Sequence, residues 1–292
     1  MYFILCQNRR DFIHGIPGEQ IEFCKLSQEF VLDLGLKGRR ALILGASQGM
    51  GAEIARVLAE EGCNLIIGAR RAARIESLAR ELNDQHGVEV EPYQIDMSDS
   101  GAVSNLCSMV LDEWHIDILL NNTGGPPPSV STGLPDEVWA NSLQSLLMST
   151  IRLSEAAIGG MRERRWGRIL TIASSGVIQP IPNLAVSNTV RSAVVGYTKT
   201  LSNEVARDGI TVNMILPGRI DTDRLASIDK NSVERENIPI EKVRENSWAT
   251  IPAGRYGSVN EFAQVAVFLM SECAGYVTGS LIRVDGGAIK GI

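Results

Sequence analysis

Gly45, Gly49 and Gly51 stand in a stretch, Arg40 to Gly51, that reads RALILGASQGMG. An apolar run from Ala41 to Leu44 breaks at the first glycine, and a helical pattern follows the third through Ile54, Ala55 and Leu58. Strand, glycine turn and helix in that order form a cradle for phosphate. Gly45 permits the tight turn, Gly49 lets the backbone approach a pyrophosphate, and Gly51 lets helix and strand pack closely; the helix N-terminus adds unpaired N–H groups and positive potential. Ser47, Gln48 and Met50 fill the turn and share the expected contact with a dinucleotide. The spacing is GxxxGxG rather than GxGxxG, and glycine turns also serve plain packing, so the rest of the chain has to carry the reading.

A dinucleotide site meets the adenosine ribose at the end of its second strand, where an acidic residue selects NAD. Here the second apolar run, Asn64 to Ile67, ends on Gly68-Ala69-Arg70-Arg71, with Arg74 close behind. Cations at a helix start oppose the macrodipole and call for an anionic partner, which a 2′-phosphate supplies. The expected cofactor is therefore NADP, with Arg70 and Arg71 on its phosphate; three solvated arginines on an exposed turn are the other reading. Asp96 stands where an adenine contact is expected and equally suits a helix cap shared with Ser98 and Asp99. The fourth run, Ile116 to Leu120, leads into Asn121-Asn122-Thr123-Gly124-Gly125 and the prolines Pro126 to Pro128. Small polar residues at a strand's C-terminal end lie on the face where open α/β sheets bind ligands.

From Arg40 onward short apolar runs alternate with amphipathic stretches, the rhythm of a parallel sheet covered by helices on both faces. Seven strands are expected near 40–45, 63–68, 88–95, 116–121, 168–174, 210–215 and 279–284, with helices near 49–61, 71–86, 99–114, 135–161, 185–207 and 258–272. The fold class is α/β, a doubly wound Rossmann sheet in a single domain over 35–292. Residues 1–34 show no clean periodicity and are an extension: a flap over a neighbouring subunit, or a loose appendage. Hydrophobic residues make up 44% and charged residues 21% of the 292, with net charge −6. That balance argues against disorder and against an electrostatic nucleic-acid binder, leaving small molecules as partners. No apolar run reaches the ~18 residues of a membrane span, and the order of apolar and basic residues at the start is wrong for a secretory signal. Five scattered cysteines without metal-ligand spacing suggest reduced, mostly buried thiols in the cytoplasm and no metal site. The three histidines, His14, His86 and His115, lie away from the strand ends, so a Ser-His-Asp hydrolase is not expected.

The chain resembles the short-chain dehydrogenase/reductase family, in particular its 3-oxoacyl-carrier-protein-reductase-like branch, over about residues 36–290. The resemblance rests on the glycine turn, Asp96, Asn121-Asn122-Thr123-Gly124 in place of NNAG, Ile172-Ala173-Ser174-Ser175-Gly176, Val212-Asn213 to Leu216-Pro217-Gly218, and Val284-Asp285-Gly286-Gly287. It implies that Asn122 and Gly124 support the cofactor, that Pro217, Gly218 and Thr222 pass beside the nicotinamide, and that 218–250 forms the substrate lid. It also implies catalysis by a serine, here Ser174, and by a YxxxK motif that begins thirteen residues later. That position holds Ser187, so the motif has become Ser187-Asn188-Thr189-Val190-Arg191. The family's helix asparagine falls on Leu146. Tyr197 and Lys199 do not substitute, because two residues apart on a helix they diverge by about 200°. A divergent set of reductase-like relatives shares this look, with NNAGGPPP, a QPIP loop (here Gln179 to Pro182) and serine in the tyrosine position.

The expected function is an NADP-dependent oxidoreductase acting on a carbonyl or hydroxyl of a small or acyl-linked substrate through an atypical site of Ser174, Ser187 and Arg191. The alternative is a catalytically degenerate NADP-binding protein with a regulatory or structural role. Arg191 is suited to the lysine's second duty on the nicotinamide ribose, since its fork presents several donors. The basic cluster Arg162, Arg164, Arg165 and Arg168 suits either an acidic carrier protein or the end of a helix, where cations are favourable. A homotetramer or dimer is expected from Leu143, Leu147 and Ile151, which recur at helical spacing on a long helix.

Overall fold

The computed structural model describes residues 32–291; most of the expected N-terminal extension lies outside them. Seven parallel strands run β1 (Arg40–Leu44), β2 (Asn64–Ala69), β3 (Val90–Gln94), β4 (Ile118–Asn121), β5 (Gly167–Ile172), β6 (Ile210–Pro217) and β7 (Leu281–Val284), in the sheet order β3-β2-β1-β4-β5-β6-β7. The order reverses between β1 and β4, which are paired through Ala41 and Ile118. A doubly wound sheet opens its ligand crevice at that switch point. The strands alternate between two cores. From β1, Ala41 and Ile43 enter the core on one face, while Leu42 and Leu44 enter the core on the other.

Helices α1 (Gly49–Glu60), α2 (Ala72–His86) and α9 (Val259–Leu269) cover the first face, where Phe262 is fully buried. Helices α3 (Ser100–Asp112), α5 (Ser149–Arg164) and α6 (Ala185–Val205) cover the second. Leu34 and Leu36 already pack on the first core, and the compact unit starts at Asp33. The long helix expected at 135–161 is α4 (Asp136–Ser142) and α5 joined by a π-helical turn, Leu143–Met148. A π turn inserts one extra residue and rotates the helix beyond it, a device common at functional sites. Here it turns Leu146 inward, to 3% exposure, and Leu147 against Val186 and Val190 of α6. Leu147 is thus not part of an outward stripe; Leu143 and Met148 are the exposed residues of this turn.

Two helices in the expected lid region were not foreseen, α7 (Asp223–Glu236) and α8 (Ile240–Trp248). A buried carboxylate joins them: Asp229, 1% exposed, accepts from the Tyr256 hydroxyl at 3.2 Å and lies within 4.0 Å of both Arg219 and Arg244. The basic cluster after α5 is structural. Arg162 and Arg165 pair with Asp208, and Arg164 pairs with Asp117 at 2.9 Å. Arg168, 3% exposed, donates to the carbonyls of Ser271, Gly167 and Gly209 and stacks on Trp166.

Candidate active site

The glycine turn takes the form its residues require. Gly45 and Gly49 hold φ of +66° and +58°, a region L side chains rarely adopt. A Cβ on Gly51 would sit 2.4 Å from the Gly45 carbonyl oxygen and 2.8 Å from Asn122 Nδ2, so only glycine lets α1 approach β1 this closely. Asn122, from the end of β4, donates to the same Gly45 oxygen at 3.5 Å. The first turn of α1 has no side-chain cap, which leaves its N–H groups available. Thr222 caps α7 by accepting from Leu225, and its methyl would lie 3.4 Å from a Cβ on Gly49. The lid therefore begins directly beside the turn. Pro217 closes β6, and Gly218 is packed so tightly on Asp285 that its Cβ would fall 2.6 Å from the Asp285 Cα. Space opens at Gly124, where a Cβ would meet nothing within 4 Å.

At the adenosine end, Arg70 and Arg71 are exposed, and among the described residues neither makes an ion pair. Arg71 occupies the uncapped N-terminus of α2. Arg74 reaches back to Gln48 Oε1 and links this end to the glycine turn. Asp96 is not the cap of α3; Asp99 is, accepting from Gly101 and Ala102. Asp96 instead accepts from the Ser98 amide and hydroxyl at 3.0 and 2.8 Å, bonds that hold its carboxyl below the usual range. Ser47 and Met50 are half-buried in the turn. An uncapped helix N-terminus, a glycine cradle and arginines in no ion pair among the described residues fit a dinucleotide phosphate, and the exposed cations fit its 2′-phosphate.

The catalytic candidates gather at the ends of β4 and β5, which pair through Asn121 and Thr171. Ser174 follows β5, half-buried, and its hydroxyl accepts from the Gly176 amide at 3.1 Å. Gly176 brings α6 close: a Cβ there would lie 3.4 Å from Ser174 Oγ and even nearer to Asn188 Oδ1. Ser187 is the neighbour of Asn188 on that first turn of α6, at 8% exposure. One turn further, Arg191 is buried to 9% and donates to the Ile172 carbonyl at 2.9 Å, with no carboxylate partner among the described residues. Burial, aided by the charge of Arg224, pushes its guanidinium down to about 10. It stays charged at neutral pH.

Arg191 lines a small cavity of about 10 Å³ together with Asn121, Leu146, Thr150 and Thr171. That is room for about one water. Asn121 Oδ1 and Thr171 Oγ1 have no hydrogen-bond partner among the described residues, and both residues border this space. Leu146, expected at the family's asparagine position, lies in the cavity wall. Tyr197 and Lys199 point elsewhere. The Tyr197 hydroxyl donates to Ile151 at 3.4 Å, with burial pushing it up to about 12, and Lys199 borders Gly279.

Sequence reasoning passed over Arg224. Its guanidinium lies where a Cβ on Gly125 would be, 2.7 Å away, on the turn after β4. The signal was present, since a cation in the first turn of a helix opposes the macrodipole. Cys63 is buried and its thiol is pushed up to about 12 by burial, but Cys273 is exposed, so the thiols are not uniformly interior. No group of three or more metal-ligating side chains is found among the described residues.

The profile of the family described as Enoyl-(Acyl carrier protein) reductase matches residues 45–288. The 3-oxoacyl-[acyl-carrier-protein] reductase FabG of Escherichia coli is 32% identical over 257 residues, 87% of this chain and 98% of that protein. L-sorbose reductase from Gluconobacter frateurii, solved with NADPH and L-sorbose, superposes with a TM-score of 0.85 at 32% identity, covering 89% of this chain and all of that one. YwfH, an NADPH-dependent reductase involved in bacilysin biosynthesis, superposes at 0.83 with 31% identity, covering 88% and 100%. With the parallel sheet, the glycine turn and the β4–β5 site in place, the match over 45–288 identifies the chain as a member of the enoyl-(acyl carrier protein) reductase family within the short-chain dehydrogenases/reductases.

Proposed function

We propose that this protein is an NADP-dependent oxidoreductase that reduces a carbonyl, or oxidises the matching alcohol, in a small or acyl-linked substrate. The observation that carries the reading is the glycine cradle, Gly45 to Gly51 with Asn122 and Thr222, next to Arg70 and Arg71, which form no ion pair among the described residues. The cofactor supplies or takes up the hydride when bound. Ser47, Gln48 and Met50 hold its pyrophosphate with the α1 N-terminus, while Asp96, Gly124, Pro217 and Gly218 line its path. Arg191 keeps donors for the ribose.

The protein's own chemistry is proton delivery and polarisation. Ser174 donates to the substrate oxygen as charge develops there. Ser187, or a water in reach of Arg191, returns the proton that a phenol supplies elsewhere in the family. A hydroxyl is a poorer acid than a phenol, and a placed general acid is worth about 10² to 10⁴ in rate, so turnover is slow rather than absent. Arg191 holds a charge near this point but releases no proton at neutral pH.

A panel of ketones, oxo acids and acyl thioesters, followed by NADPH absorbance, tests the reading. Turnover that falls about tenfold or more in Ser174→Ala supports it. Binding of NADPH with no turnover of any carbonyl would favour the alternative, a nucleotide-binding protein without catalysis. We place the protein in the cytoplasm, supported by the free Cys63, Cys107 and Cys273 among the described residues. Assembly as a dimer or tetramer is supported by exposed Leu111, Leu143 and Met148 on the α3–α5 surface; a monomeric mass by light scattering would refute it.

A further inference from the structure

Two cations at the crevice lack counter-charges. Arg191, at the end of β5, is nine-tenths buried and spends one donor on Ile172. Arg224, in the first turn of the lid helix, lies on Gly125 beyond β4 and makes no hydrogen bond or ion pair among the described residues. The strand ends they lie against, β4 and β5, are neighbours, with Asn121 opposite Thr171, so both charges sit over the same stretch of the sheet's ligand-binding edge. A buried cation without a partner is costly, which marks Arg191; Arg224 is exposed and adds its charge to the same positive field. Arg224 cannot be relieved by Asp229, whose oxygens are taken up with Tyr256, Arg219 and Arg244.

The cofactor's own phosphates are served elsewhere. The pyrophosphate belongs to the β1 turn, which Thr222 borders, and the 2′-phosphate to Arg70 and Arg71 after β2, on the far side of β1 from β5. What remains at β4–β5 is the substrate's place. Its wall there is apolar: the loop after β4 is bridged to the loop before α6 through Ser129 and Leu184, and Val130, Ile178 and Ile181 stand exposed at 58%, 42% and 37% on these loops.

We propose that the substrate is an anionic oxo acid, whose carboxylate sits on Arg224 in the field of Arg191, with its carbonyl at Ser174 and its apolar body against Val130, Ile178 and Ile181. This rests on the oxidoreductase reading and narrows it from carbonyl compounds in general to acids. The overall step stays balanced: the oxo carbon gains a hydride from NADPH, its oxygen gains a proton, and a hydroxy acid and NADP⁺ are released. A neutral ketone or thioester leaves Arg224 without a partner and binds more weakly.

The test uses 4-phenylbutanoate and its neutral isostere 4-phenylbutanamide, titrated at fixed ionic strength against the full chain, free and with NADPH, in wild type and Arg224→Met. The carboxylate should bind at least about tenfold more tightly than the amide, and Arg224→Met should reduce that preference to about twofold or less while leaving NADPH affinity within about threefold. Arg224 is exposed, so its replacement leaves the fold intact. Equal binding of acid and amide, or binding of neither, overturns the proposal. A preference that survives Arg224→Met also overturns it. Loss of NADPH affinity in Arg224→Met with the preference unchanged would assign the arginine to the cofactor instead. Failure of the oxidoreductase reading looks different: the free protein would prefer the anion, and 2-oxo-4-phenylbutanoate and the wider panel would leave NADPH unoxidised.

Discussion

Replacing Arg191 by methionine should remove activity without removing stability. Its guanidinium is pushed from its ordinary 12.5 down to about 10, chiefly by burial and then by Arg224. At 1.36 kcal/mol per unit, that shift corresponds to about 3 kcal/mol of stability lost by keeping the charge in the fold. The sign follows from the direction. A folded value below the unfolded one means the cost is present in full below about pH 10 and fades only as the pH rises toward the unfolded value. Against the gain stands one hydrogen bond to the Ile172 carbonyl, whose loss costs about 1–3 kcal/mol. Methionine has a similar length and a flexible, apolar stem. The net expectation for Arg191→Met runs from neutral to about 2 kcal/mol more stable, with the same difference from about pH 6 to pH 9. Urea unfolding of both proteins measures it, alongside NADPH turnover, which should fall at least about tenfold. A destabilisation above about 3 kcal/mol would show that Arg191 is a structural strut and would refute the idea that function retains it.

Gly51→Ala puts a Cβ 2.4 Å from the Gly45 oxygen, so the first turn of α1 must recede by several tenths of an ångström. Loss of one or two charge-assisted bonds to the pyrophosphate, at about 1.5–3 kcal/mol each, lowers NADPH affinity by about 10 to 10⁴-fold in a fluorescence titration; affinity within about threefold of wild type would move the cofactor away from this turn. The triple change Leu146→Asn, Ser187→Tyr, Arg191→Lys should raise reduction of a generic ketone by some part of the ~10² to 10⁴ that general acid catalysis supplies, and no gain in a folded, NADPH-binding variant would count against the assignment of Ser187 to the proton donor's position.

Much of the fold was legible in the chain because the signals were local. The strands β1 and β2 are continuous apolar runs, and the glycine turn between β1 and α1 states its own geometry. Strand β6 runs past its expected end at 215 to Pro217, since Leu216 still faces the core and proline is tolerated at a strand end. The lid helices escaped notice because they bury so little: Leu225 and Asp229 in α7, Val243 and Ser247 in α8. No apolar period marks them. The π turn was invisible for a different reason, as one inserted residue changes which face Leu147 presents without changing the composition. Arg168 looks like a solvated cation in the sequence and becomes a buried donor to three carbonyls only when β5, α9 and the β6 loop meet. The expected departures from the family motif at Ser187, Arg191 and Leu146 rest on spacing alone. What Arg191 and Leu146 share, one small polar cavity, was not readable from it.

The proposed NADP(H) site beside Ser187 and Arg191 makes cofactor choice the decisive property of this account. Fluorescence titration of the full chain with NADPH and with NADH measures it. With no acid directly after β2 and with Arg70 and Arg71 in no ion pair among the described residues, NADPH should bind at least about tenfold more tightly, a difference of only about 1.4 kcal/mol. Equal affinities, a preference for NADH, or binding of neither would contradict it.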